Sequence, residues 1–169
     1  LSNKKIVINH SNIFLKNNLG ETITIIKIFK SLLFFDDKKL LNMFDFSGEV
    51  FNIPFKIKSQ TQIDHKKNDK INIEAKNLRL NIFNESNVSD QDSIAGKNII
   101  SLLDSTINTK YDLKKNLIIF SSINSKIKNS KASYNGELSI NPFDLDLDIN
   151  LGEHKISRLF NINHVFIDF

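Results

Sequence analysis

The stretch Phe46-Ser47-Gly48-Glu49-Val50-Phe51-Asn52-Ile53-Pro54-Phe55-Lys56-Ile57-Lys58 returns later in the chain as Tyr134-Asn135-Gly136-Glu137-Leu138-Ser139-Ile140-Asn141-Pro142-Phe143-Asp144-Leu145-Asp146. Gly, Glu, Pro and Phe recur at the same spacing, and the flanking aromatic and aliphatic residues match in type. The chain has only 2 prolines, and both occupy the same place in this unit. We read 46–58 and 134–146 as an internal repeat of a strand–kink–strand module, so a repeat architecture comes first among the folds to consider. Gly48 and Gly136 are expected at turns, where glycine takes φ > 0. Pro54 and Pro142 offer no backbone N–H, so each is expected at a kink: a sheet edge, a bulge or a strand end.

Within the first copy, Phe51, Ile53, Phe55 and Ile57 fall on one strand face and Asn52, Lys56 and Lys58 on the other. In the second, Phe143, Leu145, Leu147 and Ile149 alternate with Asp144, Asp146 and Asp148. The apolar residues change parity at Asn141-Pro142, because Leu138 and Ile140 are even. A one-residue slip turns a face outward, so Pro142 is read as the corner of a bent strand, and by the repeat so is Pro54.

The same alternation runs through most of the chain. Ile6 and Ile8, then Ile13 to Leu15, lead to the turn signal Asn17-Asn18-Leu19-Gly20 and a β-branched run from Thr22 to Phe29. Asp36 to Phe44 offers an acidic start with Leu40, Leu41 and Phe44 at helical spacing, which predicts a two-turn helix over a turn plus strand. His65 to Lys70 reads as a solvated turn. A change of phase marks Lys76-Asn77 as a bulge or short turn. Asn84 to Asn98 is polar and without a period, hence a loop. Ile99 to Leu103 fits a helical turn or the start of a strand, and Lys114-Lys115-Asn116 is a hairpin turn. The fold class that follows is mainly β. It is a curled antiparallel meander sheet of roughly ten strands, a β-taco groove or an open jelly-roll-like form, with one or two short helices and one apolar face. Residues 1–169 are read as a single β-rich segment.

Composition bounds the function. At 40% hydrophobic and 25% charged, the chain is too apolar for disorder. The 0 cysteines exclude disulfides, thiol catalysis and Cys-based zinc sites. The net charge is +4, yet Arg79 and Arg158 are the only arginines among 23 basic residues. Phosphate recognition favours arginine forks, and the lysines here are mixed with carboxylates, so no nucleic-acid partner is expected. The longest apolar-rich run, Ile23 to Phe35, is interrupted by Lys27, Lys30 and Ser31 and is too short for a bilayer-spanning helix. Val165 to Phe169 stops in mid-pattern, which leads us to expect a piece excised from a longer polypeptide.

No stretch carries the spacing of a catalytic site. Asp144, Asp146 and Asp148 sit in strand register with apolar residues between them, which fits a solvated strand face rather than a calcium loop. His10, His65, His154 and His164 lack ligand spacing. No nucleophile elbow, phosphate loop or dinucleotide fingerprint is present. Glu49 and Glu137 recur in matching contexts, which suits a turn better than a catalytic pair. We therefore expect no catalytic residue, no metal and no cofactor. The 14 phenylalanines supply large apolar area without polar handles. Plain core packing accounts for them; a groove for acyl chains along Phe51, Ile53, Phe55, Ile57, Phe143, Leu145, Leu147 and Ile149 is the sharper reading.

The Gly-Glu-x-x-x-x-Pro-Phe units, the run Tyr134 to Phe143 and the Ser11-Asn12-Ile13-Phe14-Leu15-Lys16 opening resemble bacterial AsmA-like proteins, relatives of TamB and YhdP in the bridge-like lipid-transfer group. The resemblance extends from about Ile6 to Leu151. It implies a long curled β-sheet in the periplasm with a hydrophobic inner groove, anchored at the inner membrane, that moves phospholipid and supports outer-membrane homeostasis. The implied partners are phospholipid acyl chains and the remainder of the same polypeptide, with membrane association through regions not in this chain. The implied location is the periplasmic face of the bacterial inner membrane. Two other readings stay open: a closed β-sandwich binding module for glycan or protein, and an envelope hydrolase with a non-local site.

Overall fold

A computed structural model describes residues 4–36, 38, 40–63, 67–90, 93–128 and 130–152. It contains twelve strands: β1 (Lys4–Lys16), β2 (Thr22–Asp36), β3 (Leu41–Val50), β4 (Ile53–Ile63), β5 (Lys67–Ala75), β6 (Leu80–Asp90), β7 (Ser93–Leu102), β8 (Ser105–Lys114), β9 (Leu117–Ser122), β10 (Ser125–Ile127), β11 (Ser130–Ile140) and β12 (Phe143–Leu151). They form one curled antiparallel meander. β9 and β10 follow one another along a single position between β8 and β11. Among the described residues β1 pairs only with β2, and β12 only with β11.

Directly paired residues of an antiparallel sheet point to the same side, so register sorts every side chain onto one of two faces. Phe46 faces Ile57, which faces Ile73, then Ile82, Ile100 and Ile107. This apolar row continues outward through Ser31 to Ile8 on one side. On the other side Lys126 faces Thr106, which sets Ser125 beside Ile107, and Ser125 leads to Ala132 and Leu151. One line of side chains thus crosses the whole sheet. The buried described residues are Ile28, Ser31, Phe46, Gly48, Ala75, Ser125 and Ala132, and all of them lie on this apolar face. The other face, from β4 onward, presents mainly Lys, Asp, Glu, Asn and Gln. Among the described residues, every pair of strands in extensive backbone contact is a pair of sheet neighbours.

The structure corrects several expectations. Asp36 to Phe44 is no helix: Leu41 to Phe46 pair with β2, and a long ladder outweighs one apolar turn's spacing. The expected one or two short helices reduce, among the described residues, to a three-residue 3-10 turn at Lys76–Leu78, where the change of phase was read. Asn84 to Asp90 and Ser93 to Asn98 are paired strand in β6 and β7 rather than loop, and Lys67 to Lys70 begin β5. Ile99 to Leu102 end β7. His65, His154, His164 and Val165 to Phe169 lie outside the described residues.

The repeated module is a hairpin in both places, but not in the same register. Its first turn is Phe51-Asn52, with both residues at positive φ (50 and 61°), as the hairpin turns favoured by strand twist require. Its second turn is Asn141-Pro142 itself, between the paired Ile140 and Phe143. A two-residue hairpin pairs an even residue with an odd one, so the parity change at Pro142 reports chain reversal, not a corner in a continuous strand. Pro54 instead sits in β4 opposite Glu49, just outside the Val50–Ile53 pair, and β5 pairs with β4 only from Lys56. Its missing N–H therefore leaves no ladder partner wanting.

Gly48 and Gly136 are corrected as well: neither is in a turn nor at positive φ, and both lie inside strands. A Cβ on Gly48 would stand 2.7 Å from Phe46 Cε1, and one on Gly136 2.9 Å from Phe120 Cζ. Each glycine lies beneath an aromatic ring. The same arrangement recurs where Gly96 faces Tyr111. Absence of a side chain, rather than left-handed backbone, is what these positions need.

Candidate apolar binding face

Seven of the eight predicted groove residues lie on the apolar face: Ile53, Phe55 and Ile57 on β4, and Phe143, Leu145, Leu147 and Ile149 on β12. Phe51 does not; it occupies the β3–β4 turn and is 72% exposed. The two sets are far apart in the sheet order. Phe143 is 75% exposed and Ile149 59%, whereas Phe55 and Ile57 are half-buried among their neighbours. Phe55 stacks on Phe46 with centroids 5.4 Å apart, and Phe46 leans toward Phe44 at 6.0 Å.

Between the two sets the face divides into bands. The first band is the Phe46-to-Ile107 row with Phe55, Ala75 and Leu80 beside it. The second runs Val88, Ile94, Leu113, Ile118, Leu138 and Leu145 across β6 to β12. A more polar belt runs between them: Ser59, Ile71, Asn84, Asn98, Thr109 and Ser122 in one row, and Thr61, Asp69, Ser86, Gly96, Tyr111 and Phe120 in the next, with Ile71 and Phe120 its apolar interruptions. The belt is tied to itself. Tyr111 reaches across Gly96 and donates from Oη to Asn84 Oδ1 at 3.0 Å. Tyr134 and Thr109 share a hydrogen bond across Ser122, and Ser122 Oγ accepts from the Tyr134 amide at 3.1 Å. β12, apolar at every odd residue from Phe143 to Leu151, is where the bands meet.

Sequence reasoning missed Ile73, Ile82, Ile100 and Ile107, the middle of the face. Their parities were readable, but only register shows that they align in one row. The belt explains why Asn84 to Asn98 looked like a loop: these strands are polar on both faces where it crosses them.

Among the described residues no three of His, Cys, Asp and Glu are placed to hold a metal ion. Asp144, Asp146 and Asp148 are exposed on the polar face of β12, with Glu137 directly opposite Asp146. Glu49 has a cross-strand ion pair to Lys27 at 2.7 Å, so the two matched glutamates have different surroundings. No helix among the described residues is long and apolar enough to cross a membrane. What the arrangement offers chemically is apolar area with a few hydroxyls and amides across it.

No family model, no curated protein and no solved structure matches this chain.

Proposed function

We propose that the chain is a non-enzymatic lipid-binding segment, an AsmA-like β-groove whose apolar face carries phospholipid acyl chains at the periplasmic side of a bacterial inner membrane. The observation that carries this reading is a row of apolar side chains, Phe46, Ile57, Ile73, Ile82, Ile100 and Ile107, that crosses β3 to β8 on one face of a single sheet. Large side chains such as Ile8, Ile13, Phe143, Leu145 and Ile149 stay 40% exposed or more on this face. Covering the exposed part of such a side chain contributes on the order of 1 kcal/mol, so the face gains from an apolar guest. An acyl chain asks for no hydrogen bonds, and most of the face offers none. The strand-by-strand meander also suits continuation by the remainder of the same polypeptide, because each new hairpin extends both the sheet and the apolar face.

Native mass spectrometry of the protein purified from a bacterial host tests the proposal. Phospholipid is expected to co-purify, and Phe143→Asp or Leu147→Asp, both at exposed positions, should remove it while circular dichroism stays unchanged. A lipid-free wild-type protein with the native β spectrum would refute it.

A further inference from the structure

The polar face holds an apolar depression of about 500 Å³ that the reading above does not use. It lies across β2 to β6, with Leu32, Phe34 and Met43 on one side, Phe83 on the other, and Asp45 and Lys58 between. Register places all of these opposite to the isoleucine row. Leu32 faces Asp45, which faces Lys58, then Asn72 and Phe83; Phe34 faces Met43. β2 is consequently apolar on both sides, the composition of a strand that is covered on both sides. Asp45 and Lys58 are opposite charges directly across from one another, yet neither has an ion pair among the described residues. Lys70, also at the depression, is already held by Glu85 at 3.0 Å. An apolar trough thus contains one uncommitted anion and one uncommitted cation.

We propose that this depression binds an amphiphile with a zwitterionic head group. Its anionic group sits against Lys58, its cationic group against Asp45, and its alkyl chain lies over Leu32, Phe34 and Met43, with Phe83 closing the far side. The volume falls within the roughly 300–1,000 Å³ of small-ligand sites. A purely anionic head group meets Asp45, and a purely cationic one meets Lys58; only a head group of both signs satisfies the pair. The inference stands apart from the lipid face, since the two sites use opposite sides of the sheet.

Dodecylphosphocholine below its micelle concentration, titrated into the labelled full chain and followed by backbone amide shifts, tests it. Saturable changes are expected in β2 to β4 and around Phe83. Lys58→Asp or Asp45→Lys alone should weaken binding about tenfold, the scale of one charge-assisted contact. The double swap should restore it, because the head group can turn round. Both positions are exposed, so these variants keep the fold; Phe83→Asp is the apolar counterpart, expected to weaken binding as well. Single swaps without effect, equal binding of dodecyl maltoside, or no saturable shifts overturn the inference. If Ile100→Asp on the opposite face abolishes binding while Phe83→Asp does not, this site is wrong and the lipid face remains.

Discussion

Tyr111 over Gly96 shows how single residues hold a one-layer sheet together. The ring needs the space that a Cβ on Gly96 would fill, and its hydroxyl reaches past that strand to Asn84. Two strands that are not neighbours are thereby joined without a second layer. Gly96→Ala should displace the ring and lose the Tyr111–Asn84 bond, destabilising the protein by about 1–3 kcal/mol in urea unfolding. Adding Tyr111→Ser should recover part of that loss, since the clash goes with the ring. Full additivity of the two changes would show that the glycine is there for some other reason. In the sequence, Gly48 and Gly136 look like turn glycines, and Gly96 falls in a stretch read as a loop. Their packing role became visible only in the structure, where Tyr111 and Phe120 lie over Gly96 and Gly136 from the paired strand and Phe46 lies over Gly48 from its own strand.

At the scale of elements, the ninth strand position is the weak link. The chain breaks its ladder at Ile123-Asn124, where one backbone bond to β8 remains, from the Ile123 amide to the Asn108 carbonyl at 2.8 Å. Ser125 fills the gap. Its Oγ accepts from the Asn108 amide at 2.9 Å and donates to the Asn108 carbonyl at 3.1 Å, and the side chain is 1% exposed. Ser125→Ala removes these bonds and leaves the Asn108 amide without that acceptor, at a cost of about 1–3 kcal/mol. Hydrogen exchange should detect the loss first at Asn108, ahead of the central β4–β7 ladders. Unchanged protection at Asn108 would mean that water replaces the hydroxyl without penalty. Elements were the most legible scale. Alternation found most strands and the turns at Asn17-Asn18-Leu19-Gly20 and Lys114-Lys115-Asn116. It failed where local spacing imitated a helix at Leu40 to Phe44, and where polar residues on both faces hid β6 and β7.

At the largest scale, β1 and β12 each have one sheet neighbour among the described residues, and an unpaired strand side invites association with another strand. β12 counters this with Asp144, Asp146 and Asp148 along its polar face. Replacing all three by asparagine should raise self-association, read as a concentration-dependent increase in sedimentation coefficient at low salt. An unchanged monomer–oligomer balance would show that the charges do not guard this edge. By itself the sequence determined the kind of structure: period-2 alternation from Ile6 to Leu151 dictates strands, and short connections dictate an antiparallel meander with a polar and an apolar side. It determined most members of the apolar face too, because parity assigns a residue to a side without knowledge of its neighbours. Only the tertiary structure decided how those strands align. It set Phe46, Ile57, Ile73, Ile82, Ile100 and Ile107 in one row, drew the polar belt beside them, sent Phe51 into a turn and gathered Leu32, Phe34, Met43 and Phe83 on the reverse side. The reason is physical: a strand's own residues fix which way each side chain points, whereas its neighbours across the sheet come from distant sequence and are chosen by hydrogen-bond register.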